Sequence, residues 1–320
     1  LLIKLPLNQN QFLKYLQKNL SPKQKILIAI SGGIDSTVLY DLINKSQFFD
    51  LKNIFYIFFD HQKRVEGKYE IEKFINYYGL NKKNTFIKKL KLGKKETSFQ
   101  NKARIARYNY ILKLSKLLGT EEVFLGHHLD DLKESFFLRK IQSSNVLGLS
   151  NIFNDKFEKL NIHRPLVTYS KKQIKAYAGK NKLIWFEDRS NFELDYTRNK
   201  VRSYLSSNSK ISQSIKKDMS NYQDMKYLVN FYSSYFERLS KKRFEIKVQE
   251  FKHLNKTLQT IAVQSLYYSL RLILKKQPRN ENINNFVEIV LGPNHKFSIK
   301  KSVFGGKIGF FGKKLCLNLT

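Results

Sequence analysis

The sequence predicts an α/β fold: a parallel sheet with helices on both faces, followed by a smaller, largely helical C-terminal domain with a strand-rich end. Three observations lead there. Short, uninterrupted apolar runs alternate with amphipathic stretches over the first two thirds of the chain, the pattern of strands buried on both faces. Two of those runs lead directly into motifs rich in Gly, His and carboxylates. From about Ile211 the pattern changes to long polar helical stretches.

Lys25–Ile30 (KILIAI) reads as the first strand, followed at once by Ser31–Ser36 (SGGIDS) and a helix to about Asn44. Asn53–Phe59 (NIFYIFF) is a second buried strand and Gly67–Tyr78 a helix. Thr85–Leu90 and Glu122–Leu125 are further strands, with the helical Phe99–Leu118 between them. Such sheets hold ligands beyond the carboxyl ends of their strands, where SGGIDS and Gly126–Asp131 (GHHLDD) both fall. Ile211–Arg243 reads as one long polar helix or a pair, Leu258–Leu274 as a helix, and Phe297–Leu319 as strands broken at Gly305-Gly306 and Gly312. The expected organisation is a catalytic domain over residues 1–208, a linker or helix over 209–225, and a basic binding domain over 226–320. Internal repeats are absent.

At 320 residues the chain has room for about two domains. Its formal charge is +33, which favours a polyanionic partner over an anionic membrane surface. No run approaches the roughly 18 apolar residues of a spanning helix, and Lys4, Lys14 and Lys18 interrupt the apolar residues at the N-terminus. The single cysteine, Cys316, excludes an internal disulfide framework and multi-cysteine metal sites. These features fit a cytoplasmic protein without a membrane partner. Oligomeric state is not encoded legibly, and a homodimer is compatible with the sequence. Residues 1–208 carry 38 basic and 19 acidic residues, and residues 209–320 carry 21 and 7, so the second part is denser in positive charge. Only twelve of the 59 basic residues are Arg. Part of the charge is therefore attributable to an AT-rich coding background, and each Arg suggests a need for the flat, five-donor guanidinium.

Ser31, Gly32, Gly33, Ile34, Asp35, Ser36 and Thr37 lie between a strand and a helix. Two glycines let the backbone pass close to an anion, and the N–H groups of the helix start can donate to phosphate oxygens, with the hydroxyls beside them. A Walker loop would carry a lysine, and none stands here. A plain Ser/Gly turn before a helix has the same local composition. The full string, however, resembles the pyrophosphate-binding loop of the ATP pyrophosphatase (PP-loop) superfamily. That resemblance implies an adenine nucleotide α-hydrolase-like fold and cleavage of ATP between its α and β phosphates.

In the second motif, His127-His128-Leu129-Asp130-Asp131 is followed by Glu134. Asp130 and Glu134 are spaced to share one helix face. Carboxylates opposite a triphosphate suit Mg²⁺, and they also suit holding or deprotonating an amine. Acidic residues favour helix N-termini in any case, and zinc held by the paired histidines is a weaker reading. Arg104 and Arg107, three apart on a helix, can face one cleft and stabilise charge on an α-phosphate or position an RNA backbone.

Together the motifs resemble one family, the tRNA(Ile)-lysidine synthetases. The resemblance covers about residues 20–205: SGGIDS, Asp60-His61, the Ala103–Tyr108 helix, Gly126–Glu134 and Arg164-Pro165-Leu166. It continues through Glu187-Asp188-Arg189-Ser190-Asn191, Tyr196, Arg198-Asn199 and Arg202. Two departures stand out, His61-Gln62-Lys63-Arg64 after the second strand and Glu134-Ser135 where Glu-Thr is usual. The chain looks like a minimal form with one C-terminal domain. Thiolating relatives need nucleophilic cysteines, and the only cysteine here, Cys316, is at the far C-terminus; amidating relatives carry a glutaminase domain, for which no length is available.

The resemblance implies ATP, Mg²⁺, free L-lysine and an isoleucine tRNA with a CAU anticodon. ATP would adenylate the wobble cytidine, and the lysine amine would then displace AMP to give lysidine. It assigns Ser31–Thr37, His61 and His127 to ATP, and Asp35 and Asp131 to the metal. Asp35, Arg104, Arg107, Asp130, Asp131 and Glu134 take catalytic roles, and the lysine-binding carboxylate stays open among the last three. Arg189, Arg198, Arg202, Lys241, Lys242 and Arg243 are assigned to tRNA. Two alternatives remain: a PP-loop tRNA modifier using another amine, and an inactive RNA-binding scaffold.

Overall fold

The computed structural model of the protein describes residues 6–60, 66–90, 99–142, 149, 151–153, 155–186, 197–233, 236–238, 243–269, 280–291, 301–303, 306–311 and 314–319. The chain divides into two compact units, Leu1–Ser135 with Asp155–Ser209, and Phe136–Asn154 with Lys210–Thr320.

The first unit is built on a six-stranded sheet. Its strands are β1 (Ile26–Ile30), β2 (Ile54–Asp60), β3 (Thr85–Lys89), β4 (Glu122–Leu125), β5 (Lys156–Phe157) and β6 (Leu160–His163), in the order β3-β2-β1-β4-β6-β5. All pairs are parallel except β5 with β6. The predicted α/β class is the observed one. In β1, Ile26, Leu27, Ile28 and Ile30 are all buried, because each face of the sheet has its own helical cover.

On one face Ile26, Ile28, Ile30, Phe58 and Phe124 pack with residues of α1 (Gln9–Asn19), α2 (Ile34–Ser46) and α3 (Glu66–Tyr77). Ile174, Tyr177 and Ala178 of α6 (Lys171–Lys180) join the same cluster. On the other face Leu27, Ile57, Val123 and Leu125 meet Ile111 and Leu114 of α4 (Phe99–Leu118). Helices α5 (Leu129–Ile141) and α7 (Thr197–Ser207) follow β4 and α6 in the chain.

The chain winds outward from β1 to β2 and β3, then returns to place β4 on the other side of β1. The switch point therefore lies between β1 and β4, where a sheet of this kind opens its crevice.

In the second unit α8 (Ser209–Ser233) is a single long helix, followed by β7 (Phe236–Arg238) and β8 (Arg243–Ile246). The predicted helix to Arg243 overshoots because β7 and β8 take their conformation from pairing. Phe236 pairs with Ile246, and Phe244 with Leu317 near the other end of the unit. Helices α9 (Val248–Lys252), α10 (Lys256–Ser269) and α11 (Asn280–Leu291) come next, then β9 (Lys301–Val303), β10 (Gly306–Phe311) and β11 (Lys314–Leu319). They complete a five-stranded sheet in the order β7-β8-β11-β10-β9, whose described pairings are all antiparallel. Among the described residues no helix is long and apolar enough to cross a membrane.

Candidate functional site

Gly32 begins the site by its backbone. Its φ of +82° is a left-handed conformation open to glycine at no steric cost, and it turns the chain from β1 into α2. Its carbonyl accepts from the N–H of Phe186 at 3.0 Å. Gly33 is the N-cap of α2 and no side chain caps the helix there, so the first-turn N–H groups keep their donors for a ligand. The Ser36 and Thr37 hydroxyls turn into the loop itself. Ser36 Oγ donates to the Gly33 carbonyl at 2.9 Å and accepts from the Ser31 N–H at 3.2 Å, while Thr37 Oγ1 donates to the same carbonyl at 3.0 Å. Both side chains are buried and brace the loop from within.

The second motif packs directly against this loop. A methyl group added to Gly126 would lie 3.0 Å from the Ser36 nitrogen and 3.1 Å from the Asp35 carbonyl carbon, so only glycine permits the approach. His128, at the start of α5, is 4% exposed and is the histidine that the fold turns inward. Its Nδ1 accepts from the Asp130 N–H at 3.1 Å, and a backbone N–H can only donate. The neutral ring therefore carries its proton on Nε2. That atom faces Asp35 Oδ1 at 3.7 Å and Asp131 Oδ2 at 3.5 Å. Asp131 also accepts from the His128 N–H at 3.0 Å, closing the first turn of α5.

Lys171, the first residue of α6, reaches into the nucleotide loop. Its Nζ lies 2.7 Å from both carboxylate oxygens of Asp35. Its backbone N–H donates to Asp130 Oδ2 at 2.8 Å, so one residue ties the two motifs together. A reciprocal capping box between Ser170 and Gln173 fixes where α6 begins. Tyr177 further down α6 donates to Asp41 of α2 at 2.8 Å. Sequence reasoning missed Lys171, because a lysine among so many carries no local signal. It also missed His128, for which the carboxylate three residues after the N-cap was the available clue.

Glu134 is 1% exposed and fully engaged, with Arg202 Nε at 2.6 Å and its second nitrogen at 3.1 Å. Arg202 also approaches Asp131 at 3.6 Å. Burial alone would lower the Arg202 pKa, but Glu134, Asp131 and Asp35 raise it above arginine's ordinary value. Glu134 is thus the counter-ion of Arg202, and Arg202 belongs to the carboxylate cluster. Asp130 is the least covered of the three α5 acids, with Lys133 at 3.5 Å.

Arg104 is exposed and lies over the Tyr108 ring at 5.6 Å, while Arg107 is half-buried one turn on. Burial lowers the pKa of Arg164; Tyr108 opposes the fall and Arg104 adds to it. His127 is half-buried beside the inward-turned His128. His61, Arg189, Lys241 and Lys242 lie outside the described residues, as do the side chains of Arg198 and Arg243.

Among the described residues no group of three or more His, Cys, Asp or Glu is gathered closely enough to hold a metal by itself. Two carboxylates, Asp35 and Asp131, converge on the same atom, His128 Nε2. That donor set fits Mg²⁺, which takes one or two protein oxygens and completes its shell with phosphate and water.

The sequence profile of the PP-loop domain family matches residues 6–208. A tRNA(Ile)-lysidine synthase of Thermosipho africanus is 32% identical over 182 residues, 56% of this chain and 42% of its own length. Enzymes of the same name from Persephonella marina and Buchnera aphidicola are 31% and 29% identical over 81% of this chain, matching 59% and 60% of their lengths. The chain therefore spans roughly two fifths to three fifths of these relatives. Among solved structures, the U34-tRNA thiolase NcsA from Methanococcus maripaludis superposes with a TM-score of 0.55 over 68% of this chain and 77% of its own, at 18% identity. That likeness concerns the fold.

Proposed function

The chain belongs to the PP-loop domain family, and from that premise we propose that it is an ATP-dependent ligase joining free L-lysine to C2 of the wobble cytidine in an isoleucine tRNA with a CAU anticodon. One observation carries the reading. The loop after β1 and the motif after β4 meet at the switch point of the sheet, with Asp35 and Asp131 both drawn to His128 Nε2. The named relatives support the choice of substrate.

In the first step the cytidine O2 attacks the α-phosphorus of ATP and pyrophosphate leaves. The uncapped N–H groups at the start of α2 hold the leaving group. Asp35 and Asp131 would hold Mg²⁺, which neutralises charge on the departing phosphates. Arg104 and Arg107 are the cations proposed to stabilise charge at the α-phosphorus. In the second step the lysine ε-amine attacks C2, AMP leaves with the O2 oxygen, and the amine loses its proton. A carboxylate must hold that ammonium, whose reference pKa is about 10.4, and assist its deprotonation. Because Glu134 is already gripped by Arg202 and Asp131 is proposed for the metal, Asp130 is the better candidate. The basic stretch beyond residue 209, with Arg189, Arg198, Lys241, Lys242 and Arg243, would track the tRNA backbone, so affinity should fall steeply with salt; Arg202, expected from the sequence to join them, is instead engaged by Glu134. A cytoplasmic location follows from that substrate.

The test incubates the protein with ATP, Mg²⁺, labelled lysine and an unmodified isoleucine tRNA, with methionine tRNA as control. Label entering only the isoleucine tRNA, with AMP formed in step, is expected. The same assay with Asp35→Ala should release no pyrophosphate. ATP turnover without lysine incorporation would point to another nucleophile, and tRNA binding without turnover to a scaffold.

A further inference from the structure

Where a Walker loop sets Lys-Ser or Lys-Thr at the start of its helix, this loop has Asp35-Ser36. An anion thus stands where phosphate binding ordinarily has a cation. The fold supplies a cation from elsewhere. Lys171 comes from α6, a sequence distance of 136 residues, and places Nζ 2.7 Å from each Asp35 oxygen. We infer that Lys171 is the phosphate-binding lysine of this loop, parked on Asp35 until a nucleotide arrives. The inference rests on the ATP reading above and extends it to a named residue.

Three features argue for this over a permanent structural pair. Neither partner is deeply buried: the side chains are 38% and 27% exposed, so the ammonium can leave without stranding a charge in a dry interior. The backbone of Lys171 is fixed independently of its side chain, through Asp130, the Ser170–Gln173 capping box and the Tyr177–Asp41 hydrogen bond. The start of α6 therefore stays in place when the side chain moves. Finally, the ammonium covers both oxygens of the carboxylate proposed for Mg²⁺. A divalent cation held on the same carboxylate would repel the ammonium a few ångströms away, so a metal-bound triphosphate arriving at Asp35 would drive Lys171 off it. The nearest uncompensated anion is then the phosphate chain over the N–H groups of α2. Charge-assisted hydrogen bonds of this type make Lys171 specific for the phosphates beyond the first, and indifferent to adenine and ribose.

The test measures binding of ATP, pyrophosphate, AMP and adenosine by calorimetry, with Mg²⁺ and without tRNA. Wild type, Lys171→Met and, as a control, the exposed neighbour variant Lys172→Met are compared. Lys171→Met should weaken ATP and pyrophosphate by about 10- to 100-fold, the worth of a hydrogen bond to a charged group. AMP and adenosine should stay within about twofold of wild type, since they lack the phosphates in question. Lys172→Met should match wild type throughout. A second measurement uses wild type alone: amine acylation at Lys171, read by mass spectrometry, should be suppressed by Mg²⁺-pyrophosphate and not by AMP. Unchanged ATP and pyrophosphate binding in Lys171→Met, an equal loss for all four ligands, or acylation indifferent to pyrophosphate would each overturn the inference. Wild type that binds none of the four would instead sink the ATP reading, and this inference with it.

Discussion

Adding one methyl group at Gly126 should loosen the protein and impair the loop, whereas the same addition at Gly179 should tighten it. A Cβ at Gly126 meets the Ser36 nitrogen at 3.0 Å, with the Asp35 carbonyl carbon and Ser36 Cα at 3.1 Å. All three are backbone atoms at the start of α2, so no side chain can swing aside. Carbon contacts rest near 3.5–4.0 Å, and the two loops must part by several tenths of an ångström. Overpacking of this kind costs about 1–3 kcal/mol. The lower unfolded-state entropy of alanine offsets about 0.4–1 kcal/mol of that. The steric effect wins, leaving about 1–2 kcal/mol of destabilisation, or roughly 2–8 °C in Tm for a domain of this size. At Gly179, in the last turn of α6, nothing lies within 4 Å of an added Cβ. Glycine in a helix is worse than alanine by about 0.5–1 kcal/mol, so Gly179→Ala should raise Tm by about 1–4 °C. Calorimetric melting of both variants, with ATP titration alongside, separates the two effects. A Gly126→Ala protein that melts at or above wild type and binds ATP normally would refute the close approach of the two motifs.

Two further substitutions probe the charged interior. Arg202→Met leaves Glu134, 1% exposed, without its cation. Breaking a buried pair costs about 3–5 kcal/mol, but Arg202 is 42% exposed, so screening reduces the expected loss to about 1–3 kcal/mol. Urea unfolding should show this loss, and Arg202→Met with Glu134→Met should recover much of it; a double variant no better than the single would contradict the pairing. Glu122 tests the pH dependence. Burial pushes its carboxyl up, but hydrogen bonds with His163 and Asn161 more than reverse this and hold it below the ordinary value. The unfolded chain then binds the proton more readily, so this contribution is present above the ordinary carboxylate pKa and lost as pH falls through the folded one. The urea midpoint gap between wild type and Glu122→Gln should accordingly narrow from pH 6 to pH 3, and a constant gap would count against the pair.

What the sequence disclosed and what it hid differ by range. Strands β1, β2 and β4 were legible because strands such as KILIAI are buried on both faces, and burial writes itself as an apolar run; β3, at the sheet edge and largely uncovered, was expected too but not for that reason. Strands β5 and β6 were not legible, since Lys156–Phe157 and Leu160–His163 are short and partly polar, β6 being held by β4 and β5 by β6. The same holds for β7, which pairs with β8, and for β8, whose other partner is the distant β11. In the site, Asp35, Asp130, Asp131 and Glu134 were visible as local motifs. Their partners were not: Lys171 and Arg202 reach them across 136 and 68 residues. A histidine doublet does not announce which ring turns inward, and only the hydrogen bond from the Asp130 N–H selects His128.

Those hidden cations decide how the acids can coexist. Three carboxylates around one buried histidine, with Glu134 joined to them through Arg202, would repel one another without cations. Here each has a cation at hand: Lys171 at 2.7 Å from Asp35, Lys133 at 3.5 Å from Asp130, and Arg202 at 3.6 Å from Asp131 and 2.6 Å from Glu134. Four negative charges against three positive leave the cluster close to neutral inside a chain of charge +33. The small negative excess disfavours a bare triphosphate beside Asp35. On the proposed reading a metal-bound one would reverse the sign, because the metal would satisfy Asp35 and release Lys171 together. On the proposed reading, then, the acids that look hostile to a nucleotide make its binding conditional on the metal. The surplus of positive charge elsewhere in the chain cannot impose that condition, because it attracts every polyanion alike.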